Sequence, residues 1–328
     1  MKILAIETSC DETSAAVVEN GRHILSNIIA SQIDLHQQFG GVVPEVASRR
    51  HLELITPTID TALQEANTLL SDIDAIAVIN RPGLVGALIV GVAAAKTIAF
   101  AASLPLIPVH HIEAHIYANW LTDEEIELPA VCLVVSGGHS NIFYMKEHGS
   151  FEQIAKTRDD AAGEAFDKCA RAMGLGYPGG PLIDKLAKDG NPKAIRFPRS
   201  RFENSLDFSF SGLKTAVIRY VRDKHESESI ADIAASFQQA VVDVLVKHTF
   251  EAAETFNVKQ ILVAGGVAAN SALNNAMKET GIKNGIKVNI PKPILCTDNA
   301  AMVGAAGFYN YELRITAGLD LDCIATGG

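Results

Sequence analysis

The chain has 328 residues, enough for two domains of ordinary size. At 48% hydrophobic and 20% charged residues it has the composition of a folded globular protein, which excludes disorder as its dominant state. Lys+Arg number 28 against 38 Asp+Glu, a net charge of −10 that does not suit a chain holding nucleic acid by itself on a basic surface. The five cysteines, Cys10, Cys132, Cys169, Cys296 and Cys323, lie far apart, with neither a disulfide framework nor zinc-knuckle spacing.

The chain opens on an apolar strand, Lys2–Glu7, followed by a polar turn at Thr8–Thr13 and a second strand at Ser14–Glu19. Asn20-Gly21 predicts a tight hairpin into a third strand near His23–Ala30. Pro44 begins an amphipathic helix running to about Ala66, Asp74–Ile79 reads as a buried strand, and Val85–Ala102 as a helix of small residues. The same grammar returns later. Strands at Ala130–Val135, Asn141–Lys146 and Phe151–Thr157 surround the turn Ser136–Ser140; a long helix at Ile230–Phe256, a strand at Gln260–Ala264 and a helix at Ala268–Glu279 follow. A last helix covers about Asp298 to Leu313. A unit of this order used twice predicts two α/β lobes around a cleft. The expected lobes are 1–108 with 297–328, and 109–296, the second carrying an insertion near 174–214 rich in Gly, Pro, Arg and Phe.

Only four apolar residues separate Lys2 from Glu7, too few for a signal-peptide core, and Lys96 interrupts the apolar stretch from Leu84 to Ala102. That stretch is expected to be a helix buried inside a soluble cytoplasmic protein that does not engage a membrane.

Four constellations carry chemistry. In His110-His111-Ile112-Glu113-Ala114-His115, His111 and His115 share one helical face, the spacing with which two imidazoles hold a metal. The motif is not HExxH, because Glu113 does not directly follow the first histidine. Such a pair favours Zn or Fe and needs a third ligand; Asp298 serves, although an aspartate at a helix start is equally a preferred cap. The two polar turns offer backbone N–H groups to phosphate oxygens, and Asp11 and Glu12 in the first are suited to position a metal or nucleophile; such turns also form for conformational reasons alone. Val263–Asn270 ends a buried strand in two glycines before a helix, a nucleotide approach without GxGxxG spacing. Asp159–Lys168 places acids on a helix, either a solvated face or one that binds ribose hydroxyls, and Tyr177–Pro181 makes a rigid turn.

Taken in order, IETSCDET, GGVVPEVASRRH, PGLVGAL, PVHHIEAH, VVSGGHS, DDAAGEAFDK, YPGGP, DFSFSGLKT, AGGVAAN and CTDNAAM closely resemble the bacterial TsaD family, formerly Gcp, over essentially the whole chain. The resemblance implies an actin-like (ASKHA) fold of two RNase H-like lobes, mixed sheets flanked by helices around a central cleft. It implies transfer of the threonylcarbamoyl group from threonylcarbamoyl-AMP to N6 of the adenosine 3′ of the anticodon, in tRNAs reading codons that begin with A, with release of AMP. His111, His115 and Asp298 match the family's metal ligands, usually for Fe(II), with Zn or Mg as alternatives. Val134, Val135, Ser136, Gly137, Gly138, Asp167, Gly180 and Asn270 match adenylate-binding positions, with Asp184 a further ribose candidate, in a cleft also open to ATP or ADP. Asp11 and Glu12 match acids often considered catalytic. The implied partners are tRNA, a TsaB homologue forming a heterodimer and the ATPase TsaE; TsaC or Sua5 would supply the adenylate. One departure stands out: where the family usually has Thr-x-Gly before Pro82, this chain has Ile79-Asn80-Arg81, and the arginine is expected to alter local packing without loss of fold.

Three rival readings make different predictions. A metalloprotease needs a general-base glutamate beside the histidines, an actin-like kinase leaves both histidines without a role, and a nucleotide-gated scaffold would bind partners without catalysis.

Overall fold

In the computed structural model, residues 1–223 and 229–326 are described. The chain begins with β1 (Lys2–Glu7), β2 (Glu12–Glu19) and β3 (His23–Ser31), then α1 (Ile33–Gln37) and α2 (Pro44–Glu65). β4 (Ala75–Arg81), α3 (Val85–Ala102), β5 (Leu106–His110) and α4 (His111–Tyr117) follow. Next come β6 (Ala130–Val135), β7 (Ser140–Met145), β8 (Phe151–Lys156), α5 (Ala162–Ala172), α6 (Gly179–Ala187), α7 (Ser211–Asp223) and α8 (Ile230–Thr255). β9 (Gln260–Ala264), α9 (Ser271–Asn284), β10 (Lys287–Asn289), α10 (Pro293–Cys296) and α11 (Ala300–Glu312) complete the set.

The chain forms two compact units, Met1–Glu125 with Ile294–Gly328, and Ile126–Pro293. The expected break at 108/109 is corrected by this division: β5 pairs in parallel with β4 and runs directly into α4, which packs against α11, so the segment through Glu125 belongs with the first sheet.

Each unit is built on a five-stranded mixed sheet, ordered β3-β2-β1-β4-β5 in the first and β10-β9-β6-β7-β8 in the second. In both, the first three strands form an antiparallel meander and the last two add in parallel to its first strand. The doubling read from element order is therefore a doubling of topology. β6 is an apolar, fully buried run, and β1 and β4 are buried apolar runs with polar residues at their ends; the carboxyl ends of such strands are where α/β sheets place ligands.

In the first unit Leu4, Ile6, Val17, Ile76 and Val78 from the sheet pack with Ile55 and Ile59 of α2 and Val90 and Ala95 of α3. The small residues of α3 allow a close approach: a Cβ at Gly83, just before the helix, would fall 2.7 Å from the Ser9 carbonyl oxygen. Among the described residues α3 is the one helix long and apolar enough to cross a membrane. It is not wholly buried as expected; Val85, Ile89 and Phe100 remain exposed on its outer face, as does Leu52 on α2.

β2 starts two residues earlier than predicted, because Glu12 and Thr13 pair with Ser31 and Ala30, so Glu12 belongs to a strand and not to the turn. The stretch 174–214 is also more ordered than its sequence suggests. It contains α6, and its far end is tied back to β8 through the Thr157–Phe208 bridge.

Candidate metal centre and glycine turns

His111 and His115 sit one turn apart on α4, which begins where β5 ends; the His110 side chain caps it by accepting the Ile112 N–H at 3.2 Å. Asp298 lies just before α11. The cap of that helix is Asn299, whose side chain accepts the Met302 N–H at 3.1 Å, so the capping alternative for Asp298 does not hold. The Ala300 N–H donates to Ser14 Oγ at 2.8 Å, pinning the start of α11 to β2.

These elements bring the three side chains together. Asp298 Oδ1 lies 3.1 Å from His115 Nε2 and 3.7 Å from His111 Nε2. One ligand atom from each residue lies within 4.8 Å of the others. The imidazoles meet edge-on, ring centroids 4.7 Å apart. Both histidines are buried, and burial opposes a charge on His111. The carboxylates of Asp298 and Glu7 outweigh that opposition and lift its pKa to about 9. Once a metal displaces the His111 Nε2 proton, two imidazole nitrogens and a carboxylate oxygen are a borderline donor set suited to a divalent transition metal. Glu113 is not in this group: burial raises it to about 6, while the charge of Arg81 opposes the rise. The glutamate between the two histidines is thus not grouped with their ligand atoms, whereas the protease reading requires it there. Arg81 itself is exposed at the end of β4, where the pairing with β5 shifts register, and acts as a charge beside Glu113.

Sequence reasoning missed Glu7 and Ser9. Glu7 is wholly buried at the carboxyl end of β1, and its Oε2 lies 3.1 Å from His111 Nδ1. Ser9 Oγ lies 3.0 Å from the same nitrogen. A charged residue ending a buried strand was the available signal.

Asp11 is buried and Glu12 half-buried beside this centre. Glu12 is pushed well above the usual carboxylate range, by burial first and then by the charges of Asp298 and Asp11. His51 of the GGVVPEVASRRH motif braces their turn. Its Nε2–H donates to the Cys10 carbonyl at 3.0 Å, which leaves Nδ1 to accept from Thr13 Oγ1 at 2.8 Å.

The remaining predicted residues lie in the second unit. Val134 and Val135 are fully buried at the end of β6, where both pair with β7 and Val134 also with β9. Ser136, Gly137 and Gly138 form the turn after β6, and Ser136 N–H donates to the His139 carbonyl at 2.8 Å. Asp167 Oδ1 accepts the Gly179 N–H at 2.7 Å, drawing the start of α6 onto α5. Asp184 Oδ1 accepts from Ser271 Oγ at 2.8 Å, and Asn270 caps α9 while donating to Gln238 at 2.7 Å. These three thus hold the helix starts around the turns.

Gly137, Gly138, Gly180 and Gly266 share a property. None takes a left-handed backbone, and a Cβ on any of them would meet no neighbouring atom within 4 Å. Neither a left-handed backbone nor packing within the protein calls for glycine at these four positions.

Three of the acids of DDAAGEAFDK have partners within the protein. Asp159 accepts the Phe210 and Ser211 N–H groups at 2.9 and 3.2 Å, capping α7 from outside. Asp160 binds Ser211 Oγ at 2.8 Å, Lys168 at 3.1 Å and Lys214. Glu164 pairs with Lys168 at 2.6 Å.

Comparison with known proteins identifies the family and the fold. The chain is 56% identical over 329 residues to the tRNA N6-adenosine threonylcarbamoyltransferase of Clostridium kluyveri, covering 99% of this chain and 96% of the relative. It is 58% identical over 328 residues, with the same coverage, to the protein of that name from Clostridium botulinum (strain Kyoto / Type A2). Among solved structures, T. kodakarensis HypF matches with a TM-score of 0.64 at 16% identity, over 95% of this chain and 48% of that one. Component A of the Acidaminococcus fermentans (R)-2-hydroxyglutaryl-CoA dehydratase matches at 0.58 and 14%, over 95% and 98%. These likenesses show the actin-like fold. The model of the family described as "TsaD: tRNA N6-adenosine threonylcarbamoyltransferase" matches residues 23–305, and the chain belongs to that family.

Proposed function

We propose that the chain transfers a threonylcarbamoyl group from threonylcarbamoyl-AMP to N6 of the adenosine 3′ of the tRNA anticodon, using a metal held by His111, His115 and Asp298. The convergence of those three side chains within 4.8 Å carries the reading. In the reaction the N6–carbon bond forms, the bond from the carbamoyl carbon to the phosphate oxygen breaks, AMP leaves and N6 gives up one proton.

An exocyclic adenine amine is a weak nucleophile, so the protein must make the carbonyl carbon more electrophilic and the leaving phosphate more stable. A bound divalent metal supplies Lewis-acid polarisation of that kind. Two histidines and one carboxylate form a set used by Fe(II) sites with open positions and by catalytic zinc alike, and the imidazoles favour either over Mg. His111 and His115 must give up their Nε2 lone pairs to hold it, and the buried setting keeps competing water away. In the second unit, the unencumbered backbone at Gly137, Gly138, Gly180 and Gly266 receives the adenylate; Asp167, Asp184 and Asn270 fix the turns that present it. ATP or ADP fits the same backbone. Glu12, held above the usual carboxylate range, is suited to take up the proton lost from N6, with Asp11 shaping its surroundings.

The net charge of −10 supports shared binding of tRNA with partner proteins. A TsaB homologue suits the exposed apolar residues Val85 and Ile89 of α3 and Leu52 of α2, and TsaE would act on the pair in the cytoplasm. The test is reconstitution with TsaB, TsaE, the adenylate-forming enzyme, ATP, threonine, bicarbonate and unmodified tRNA. Mass spectrometry of the digested nucleosides should show threonylcarbamoyladenosine; its absence with active partners contradicts the reading.

A further inference from the structure

We infer that Glu7 is a positioning residue that sets the tautomer of His111 and so prepares the metal centre; the inference rests on the metal reading above. His111 Nδ1 has two close neighbours, Glu7 Oε2 at 3.1 Å and Ser9 Oγ at 3.0 Å. A serine hydroxyl accommodates either tautomer, since it donates or accepts. A carboxylate oxygen only accepts, so its lone pair would repel a bare Nδ1 at this distance. When a metal displaces the Nε2 proton, Glu7 therefore keeps the remaining proton on Nδ1 and leaves the Nε2 lone pair on the side of Asp298, the orientation a metal ligand needs.

Glu7 is itself held in place. Its Oε1 accepts the Ser9 N–H, and the residue is wholly buried at the end of the central strand β1. Both of its oxygens thus receive N–H groups, one from backbone and one from the ligand histidine. His115 has no equivalent: its Nδ1 is buried without a hydrogen-bond partner. The two imidazoles are consequently unequal, and His111 is the preorganised one.

Glu7→Gln separates this role from packing, because it keeps the size and shape of the side chain. Its single carbonyl oxygen can accept either the Ser9 N–H or the His111 Nδ1–H, not both. With the backbone donor satisfied, the amide NH₂ faces Nδ1 and selects the wrong tautomer, with the proton on Nε2.

Zinc affinity of the metal-stripped full-length protein, measured by competition against a chromophoric chelator, reads the effect. Glu7→Gln should bind zinc about 10- to 100-fold more weakly than wild type, with cooperative unfolding of both metal-free proteins showing that each is folded. Equal zinc affinity in the two proteins overturns the inference and leaves the metal reading standing. Wild-type protein that takes up no zinc overturns both. If Glu7→Gln fails to fold, nitrogen NMR of histidine-labelled, zinc-loaded wild type decides: Nδ1–H with metal-bound Nε2 at His111 is expected, and the reverse contradicts it.

Discussion

A Cβ placed on Gly163, at the start of α5, would lie 2.6 Å from the Ser136 carbonyl oxygen, the same oxygen that accepts the Gly163 N–H at 3.2 Å. The neighbour is backbone and cannot swing aside. Gly163→Ala should therefore destabilise the protein by about 1–3 kcal/mol, as overpacking does. Gly137, in the same turn, has open space where its Cβ would go. Gly137→Ala should change stability by less than about 0.5 kcal/mol yet weaken nucleotide binding. Urea denaturation and ADP titration of both variants check the contrast.

Asp160 joins the start of α7 to α5. Burial raises its pKa, but hydrogen bonds from Lys214, Ser211 and Lys168 outweigh this and lower it to about 2. A carboxyl depressed in the folded state adds stability that is complete above its unfolded value near 4 and is lost as pH falls through about 2. Asp160→Asn should cost about 2 kcal/mol at pH 7, at about 1.4 kcal/mol per pKa unit. The difference from wild type should shrink steadily below pH 4. Denaturation at pH 7 and at pH 3 tests it; a constant difference contradicts the assignment.

Arg81 acts at the surface. With its side chain exposed at the end of β4 and only a charge effect on Glu113, Arg81→Ala should shift stability by less than about 0.5 kcal/mol. A loss above about 1.5 kcal/mol in thermal or urea unfolding would mean the arginine packs after all.

The metal trio was legible because HxxxH places two imidazoles on one face of any helix, whatever surrounds it. Asp298 could be paired with them only through a fold that returns the last helix to the first sheet. β5 went unread: Leu106–His110 is short, contains Pro108 and runs straight into α4, so no turn residue marks its end. That one strand is also why the lobe boundary was drawn too early. Glu7 closes an apolar strand, which is the signal in the sequence, but its partner His111 lies 104 residues away and only the fold brings the two together. The acids at Asp159 and Asp160 looked available because their partners, Ser211 and Lys214, lie about fifty residues away.

The most direct measurement is metal content per chain, taken with threonylcarbamoyladenosine formed in the reconstituted system, for wild type and Asp298→Ala. Wild type should hold one divalent metal and modify tRNA; the variant should fold, lose the metal and form at least about 100-fold less product. A variant that keeps full activity without metal, or keeps the metal without Asp298, would contradict the account.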